Sequence, residues 1–341
     1  MVKSYPITIK EVDIFQKEDT LYISDFRGLS ENFELEIPAY FKYENIFEHV
    51  QPKAYVTNDV HRSTSKIYKN YIAPVVTDPR ITVLERLVAT TGSIPFTTIW
   101  QTVPHPSSDK ICSNGGIKNN YTYDAYLLKN NKISQKKLHP LSPEWEILSN
   151  KNYSELEKQY KNFYIKREVG SGGFMVFHHS EIQKSDVDRL MNDQSSKWYI
   201  EKEIQGTPHS VQILSTNNNH TIFGWAEQTI SENKYFSGAK IKQIQHIPLN
   251  FLSFVNDSIQ YLAPLLNDYS GFWGIDFIID NNKKIHFLEA NIRTTTLSIP
   301  TLLANATGKP GTYIEEISID EIKTNDIFIS SFEDLFDILR F

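Results

Sequence analysis

The 341-residue sequence predicts a mixed fold of the α+β or α/β kind, and three observations carry that expectation. Short strand-like segments separated by turn residues run from Asn162 to Ile292. One long amphipathic stretch over about 249–268 interrupts them, with Leu252, Val255, Ile259, Leu262 and Leu266 on a single stripe. The last clear unit is a hairpin of Phe272–Asp280 with Ile285–Ile292.

The elements follow in chain order. Residues 1–78 read as a small α/β or β-rich unit, with strands at Val12–Phe15, Thr20–Ser24, Phe33–Ile37 and Lys53–Thr57 and a turn at Asn58-Asp59. A helix is expected after Asp78-Pro79, because apolar residues recur at 81, 84, 87 and 88 and Gly92 stands where a C-cap belongs. Residues 97–150 hold four prolines, Gly115-Gly116 and paired asparagines around one strand-like run, Thr122–Leu128. They read as an irregular insertion within a linking region of 79–160.

The pattern sharpens over 161–310, ahead of a C-terminal extension at 311–341. Phe163–Val169 is a strand, Gly170-Ser171-Gly172-Gly173 a loop and Phe174–His178 a second strand. Ser185 can cap a short helix that ends near Met191. Trp198–Ile204 and His209–Leu214 are strands parted by Gly206-Thr-Pro, and two more flank the Asn217–Asn219 turn and the 231–234 loop.

Composition narrows the function classes. With 40% hydrophobic and 22% charged residues the chain is an ordinary globular protein, and its net charge of −6 with scattered lysines makes nucleic acid a poor partner. A single cysteine, Cys112, excludes an intramolecular disulfide and a cysteine-based zinc cluster. No apolar signal core opens the chain and no run approaches the roughly 18 apolar residues of a membrane span, so a cytoplasmic location is expected.

Three constellations could carry chemistry. If Asn281–Lys284 form a four-residue loop, antiparallel pairing sets Asp276 directly opposite Glu289, and alternation puts Asn291 on the same face as Glu289. Opposed carboxylates repel unless a cation lies between them, and two carboxylates with one amide suit Mg²⁺. A solvated hairpin whose acids merely face water explains the pair equally well.

The glycine loop matches neither the P-loop nor the dinucleotide fingerprint, since no Gly-Lys-Ser/Thr follows and a strand, not a helix, comes next. A hairpin tip of this kind can offer successive N–H groups to phosphates, and Lys166, four residues earlier, is in range to add a charge. An ordinary turn preceded by a solvated lysine is the simpler account of that loop alone. In Tyr199-Ile-Glu-Lys-Glu-Ile, Glu201 could accept from an adenine amino group and Glu203 could take ribose hydroxyls. As an isolated pattern, this alternation is what any half-exposed strand shows.

Order and spacing join the three. Phe163-Tyr-Ile-Lys-Arg-Glu-Val-Gly-Ser-Gly-Gly, then Tyr199-Ile-Glu-Lys-Glu-Ile-Gln-Gly-Thr-Pro-His-Ser-Val, then Gly274-Ile-Asp-Phe-Ile-Ile-Asp and Phe287-Leu-Glu-Ala-Asn-Ile-Arg resemble the ATP-grasp superfamily over about 160–308. The resemblance implies the ATP-grasp fold, two α+β lobes holding ATP, here preceded by a small N-terminal pre-ATP-grasp-like domain. It implies that Lys166 contacts the phosphates, that Gly170, Ser171, Gly172 and Gly173 form the lid, and that Glu201, Lys202, Glu203 and Ile204 form the adenine hinge. Asp276, Glu289 and Asn291 match the magnesium positions, and Arg293 matches the arginine that meets an acyl phosphate or substrate.

Other assignments follow from the resemblance less directly. Members carry an earlier phosphate-binding lysine ahead of a helix that ends in glycine and proline, and Arg80, ahead of Gly92 and Pro95, takes that place here. Lys240 falls where a basic residue often stands near the γ-phosphate, with a surface lysine as the alternative. His178, His179 and His209 share no metal or triad spacing, and only His209, just after the hinge, is kept with the nucleotide set. No Gly-x-Ser-x-Gly elbow or His-Glu-x-x-His helix is present.

The implied activity is transfer of the ATP γ-phosphate to a carboxylate, followed by attack of an amine on the acyl phosphate. ATP and Mg²⁺, with Mn²⁺ as substitute, are the expected cofactors. A small carboxylate and an amine are the expected partners, with no nucleic acid or membrane and with a homodimer left open. The rivals are carboxylation through carboxyphosphate, and a regulatory protein that binds ATP without turnover.

Overall fold

The computed structural model describes residues 3–7, 20–24, 55–57, 98–101, 104, 106–119, 121–149, 153–170, 176–192, 196–231, 236–321, 323, 326–332 and 335–341. The expected strands at Val12–Phe15 and Phe33–Ile37, the Asn58-Asp59 turn and the helix after Asp78 lie outside them.

Near the N-terminus, β1 (Lys3–Ser4) stands apart from β2 (Thr20–Ser24), β3 (Tyr55–Thr57), β4 (Thr98–Gln101) and β5 (Lys118–Asn119). These last four form a parallel sheet in the order β3-β2-β4-β5. The sheet therefore continues past residue 78 into the stretch read as insertion.

That stretch is helical rather than irregular. It contains α1 (Pro106–Gly115), α2 (Tyr123–Lys129) and α3 (Lys132–Leu138). The run Thr122–Leu128 looks like a strand because Tyr and Leu dominate it. Thr122, however, caps α2 by accepting from the Ala125 N–H at 3.3 Å, and Asn131 caps α3 by accepting from Ser134 N–H at 2.9 Å.

The second sheet has the order β6-β9-β7-β8, from β6 (Trp145–Ile147), β7 (Phe163–Arg167), β8 (Val176–His178) and β9 (Trp198–Lys202). Helices α4 (Tyr153–Gln159) and α5 (Lys184–Asn192) cover one face. Phe163, Ile165, Trp198 and Ile200 pack there with Leu156 and Val187. Strand alternation sends Tyr164, Lys166, Tyr199 and Glu201 to the other face.

The largest sheet runs β14-β13-β10-β11-β12-β15-β17-β16, with β1 added beside β11. Its strands are β10 (Gly206–Thr216), β11 (Asn219–Ile230), β12 (Phe236–Lys242), β13 (Gly271–Asp280), β14 (Ile285–Asn291), β15 (Gly311–Ser318), β16 (Ile327–Phe332) and β17 (Leu335–Arg340). On one face Phe277 meets Phe251 and Phe254 of α6 (Leu249–Tyr261), and α8 (Ser298–Thr307) lies against the other, the face of Gln212 and Asp276, where a Cβ on Gly224 would strike Thr301. The expected single helix over 249–268 is broken at Leu262, and α7 (Ala263–Leu266) resumes after it. Pro264 supplies no N–H to continue the ladder.

Helix α3 ties the two sheets together. At its start, the Lys132 N–H donates to the Glu168 carbonyl at 2.7 Å and Asn131 Nδ2 to the Glu168 carboxylate at 2.8 Å. Along its length, Gln135 and Lys136 hydrogen-bond to β14. The helix is thus anchored at one end to Glu168, the residue after β7, and along its side to the metal-candidate hairpin.

Candidate nucleotide and metal site

A cavity of about 640 Å³ opens between the second sheet and the polar face of the largest one. Glu201 and Lys166 enter from the upper strands, Asp276 and Glu289 from the hairpin, Lys132 from α3 and Arg293 from the turn after β14. Most of the residues expected from sequence are therefore brought together.

The hairpin register has Asp276 opposite Glu289 and Gly274 opposite Asn291, as expected. Two offsets produce it. The turn is one residue shorter than four, with Ile279 opposite Ile285 and the Asp280 N–H donating to the Lys284 carbonyl at 2.9 Å, and a bulge at Leu288 between the Phe277–Phe287 and Asp276–Glu289 pairs restores the register. The bulge brings Leu288 and Glu289 both to the cavity wall and leaves the Leu288 carbonyl to accept from Lys136 Nζ at 3.1 Å.

Asp276 is crowded by like charge. Burial and the nearby Glu289 carboxylate push its pKa up to about 7, against a lowering bond from Ser210. Its oxygens accept from Gln228 Nε2 at 3.2 Å and from Asn291 Nδ2 at 2.9 Å. Glu289 is also raised by burial, but Lys132, 2.8 Å away, outweighs this and holds it below the ordinary carboxylate range. Asn291 completes a bridge, since its Oδ1 accepts from Arg293 Nη2 at 3.0 Å.

The donor set fits a hard divalent ion. Two half-buried carboxylates face one another, one of them short of charge compensation, and Asn291 and Lys132 supply N–H donors where a cation would otherwise satisfy the oxygens. Asp276 and Glu289 could ligate directly. Asn291 would have to turn its amide, because its nitrogen faces the two carboxylates here. Among the described residues no group of three or more His, Cys, Asp or Glu is placed to hold a metal ion, so the two carboxylates would need the Asn291 amide and non-protein ligands beside them.

Glu201 differs from its expected role. Its side chain is 2% exposed and is gripped by Lys166 and Lys136, so the carboxylate faces lysines and not an adenine edge. Burial alone would raise its pKa, yet the two ammonium groups hold it low. Glu203 and Ile204 do line the cavity, and Tyr164 OH donates to Glu203 at 3.3 Å. Lys202 pairs with Glu144 at 2.6 Å, both exposed, although the residue borders the cavity. The segment closes on Gly206, where a Cβ would lie 2.1 Å from the Ile279 carbonyl oxygen, so the chain can enter β10 this closely only with glycine.

Two assignments are corrected by strand parity. His209 pairs with Phe277 and Glu227, one residue off from the Ser210–Asp276 pair, so it points to the opposite face. There it stacks on Phe277 at 5.5 Å and meets Phe251, and burial lowers its pKa. Lys240, opposite Glu227, shares that face, is 59% exposed in its side chain and lies 3.8 Å from the Glu227 carboxylate. Gly170 is described and lies just after Val169, whereas Arg80, Ser171, Gly172 and Gly173 lie outside the described residues.

Sequence reasoning missed Lys132, Lys136, Ser210 and Gln228. A helical reading of 132–138 with Asn131 as cap would have set Lys132 and Lys136 on one face, four residues apart. Tyr126 also escaped notice, although it hydrogen-bonds the Arg293 side chain and is pushed by burial to about 12.

Residues 130–297 match a family model described as an ATP-grasp domain. The chain carries an ATP-grasp domain. It spans α3, both cavity-forming sheets' central strands and the hairpin. Solved structures agree at the level of fold. The N5-carboxyaminoimidazole synthetase of Staphylococcus aureus complexed with ADP is 13% identical, with a TM-score of 0.62 over 94% of this chain and 92% of that one. The L-amino acid ligase of Bacillus licheniformis is 11% identical, with a TM-score of 0.62 over 94% and 93%. The biotin carboxylase of Campylobacter jejuni in a β-γ-ATP complex is 12% identical, with a TM-score of 0.64 over 94% and 87%. No curated protein sequence matches the chain. Among the described residues, no helix is long and apolar enough to cross a membrane.

Proposed function

We propose that the protein is an ATP-dependent ligase that phosphorylates a substrate carboxylate and joins the resulting acyl phosphate to an amine. The observation that carries this reading is the convergence of Lys132 and Lys166 with the Asp276–Glu289 pair and Arg293 in one cavity. Cations for a polyphosphate and hard oxygens for its metal stand on facing walls.

In this reading the Glu203–Gly206 segment holds the adenosine end, and Lys132 and Lys166 hold the phosphates. Lys132 takes the part that Arg80 was expected to play. Asp276 and Glu289, with Asn291 turned, would hold Mg²⁺, which would neutralise charge on the transferring phosphoryl group. Arg293, fixed by Asn291 and the Thr294 carbonyl at 3.0 Å each, orients the carboxylate.

A carboxylate oxygen attacks the γ-phosphorus, the bond to the β-phosphate oxygen breaks and ADP leaves. The amine then attacks the acyl carbon, phosphate departs and the amine loses a proton. No side-chain nucleophile is required, so positioning and electrostatics supply the rate. The part expected of Gly170–Gly173 in this reading is to keep water from the acyl phosphate.

A carboxylate labelled with ¹⁸O tests the route, because one label must appear in the released phosphate. Unlabelled phosphate from a turning-over reaction excludes it. A second reading, carboxylation through carboxyphosphate, is supported by the likeness in fold to N5-carboxyaminoimidazole synthetase and biotin carboxylase. Dependence of ADP release on bicarbonate separates the two.

A further inference from the structure

Two lysines meet one buried carboxylate. Glu201 Oε1 is held by Lys166 and Oε2 by Lys136, and the Glu201 side chain is 2% exposed. The lysines differ in access. Lys166 is 15% exposed and borders the cavity, with its ammonium 5.5 Å from the Tyr164 ring centre. Lys136 has no exposed side-chain surface, and its other neighbours are internal, the Leu288 carbonyl at 3.1 Å and the face of Tyr199 at 5.7 Å.

The two lysines read as phosphate ligands are thus already paired. Lys132 is held by Glu289 and Lys166 by Glu201, so a polyphosphate can bind them only by exchange. A divalent ion could compensate Glu289 once Lys132 turns away. Water cannot compensate Glu201 in the same way at this depth, and a buried carboxylate stripped of its partner is strongly unfavourable.

We propose that Lys136 is a positioning residue, the permanent counterion of Glu201, which lets Lys166 leave that carboxylate for a nucleotide phosphate without stranding a buried charge. Glu201 in turn aims Lys166 across the cavity until the phosphate arrives. The α3 hydrogen bonds to β14 keep the Lys136 stem fixed beneath Tyr199 while Lys166 moves. The proposal rests on the nucleotide-site reading above but does not depend on which carboxylate is the substrate.

The test is calorimetric titration of MgATP into wild type, Lys136→Met and the double variant Lys136→Met/Glu201→Gln, with thermal melts run in parallel. Lys136→Met leaves Lys166 as the one remaining cation on Glu201 among the described residues and so pins it there, and the dissociation constant should rise about tenfold or more. The double variant leaves no buried carboxylate stranded and frees Lys166, which borders the cavity, so its affinity should return to within about threefold of wild type. Wild-type affinity in Lys136→Met, or affinity in the double variant that stays as weak as in the single one, overturns the proposal. A purely structural lysine would lower the melting temperature and leave the dissociation constant of the folded protein unmoved. Should Lys136→Met not fold, the neutral double variant carries the test, and binding clearly weaker than wild type overturns the idea. A wild type that binds no nucleotide sinks the site reading itself, an outcome distinct from all of these.

Discussion

Gln135 and Ala290 pair as two strands would. Gln135 Nε2 donates to the Ala290 carbonyl at 2.6 Å, and the Ala290 N–H donates to Gln135 Oε1 at 2.8 Å. Two residues along, Asn130 repeats the pattern on Ile292, accepting from its N–H at 2.9 Å and donating to its carbonyl at 3.2 Å. Strand β14 is an edge of the largest sheet, and side-chain amides from the α2–α3 unit occupy the hydrogen-bonding groups that a further strand would take.

Removing that cover strands buried backbone groups on either side of Glu289 and Asn291. Gln135→Leu should cost about 2–4 kcal/mol of stability, since both an N–H and a carbonyl lose their partner. Urea unfolding measures it. Nucleotide affinity should fall in parallel because the hairpin loses its backing, and a change below about 0.5 kcal/mol would show that the amide pairing is incidental.

Asp276 gives a pH signature. A carboxyl raised to about 7 from 3.8 adds stability below its unfolded value and withdraws it as pH rises through about 7. Without divalent ions, the melting temperature of wild type should therefore drop relative to Asp276→Asn between pH 4 and 8. Mg²⁺ should bind more tightly as pH rises across the same window. Parallel melting curves for the two proteins would contradict this assignment.

His139 acts in the opposite direction. Burial, with Lys136 adding to it, pushes its pKa down to about 4. The ring stacks on Phe287 at 4.0 Å and bonds Ser258 Oγ at 2.9 Å. Between about pH 6.5 and 4 the unfolded chain binds a proton there that the folded chain does not, so stability falls with acidity. His139→Phe should flatten that part of the stability profile in acid melts, whatever it does to absolute stability.

How much of this was legible before any coordinates is clearest at the hairpin. Alternation and a guessed loop length put Asp276 opposite Glu289, yet the pairing arises from a shorter turn offset by the Leu288 bulge, and neither has a sequence mark. His209 and Lys240 show the converse. A period of two makes one residue decide the face, and nothing local distinguishes His209 from Ser210 as the side turned to the cavity. Lys136 was invisible for another reason. In Gln-Lys-Lys-Leu it reads as a solvated helical lysine, and only Glu201, 65 residues on, explains its burial. The fold was legible because three motifs in order constrain one topology, while the side chains that tune the site depend on contacts between distant segments.

The Asp276–Glu289 pair proposed to hold the metal should be the least tolerant point of the site. Glu289→Gln removes one of two facing carboxylates and the partner of Lys132, so turnover should fall at least about 100-fold while the fold persists. Steady-state ADP release and circular dichroism together check both halves of that statement. Lys240→Ala and His209→Phe serve as controls, since both side chains face away from the cavity, and nucleotide affinity should stay within about twofold of wild type.

The most direct test of the whole account is product analysis with MgATP, a panel of amino acids, peptides and small organic acids, and hydroxylamine as a general acceptor. The account predicts ADP and phosphate, formed in step with a hydroxamate of the acid that is a substrate, and no AMP. AMP with pyrophosphate would mean attack at the α-phosphorus, and the Lys132, Lys166 and Asp276–Glu289 arrangement would then have been assigned to the wrong phosphate. Tight ATP binding without turnover across the panel would equally contradict a ligase.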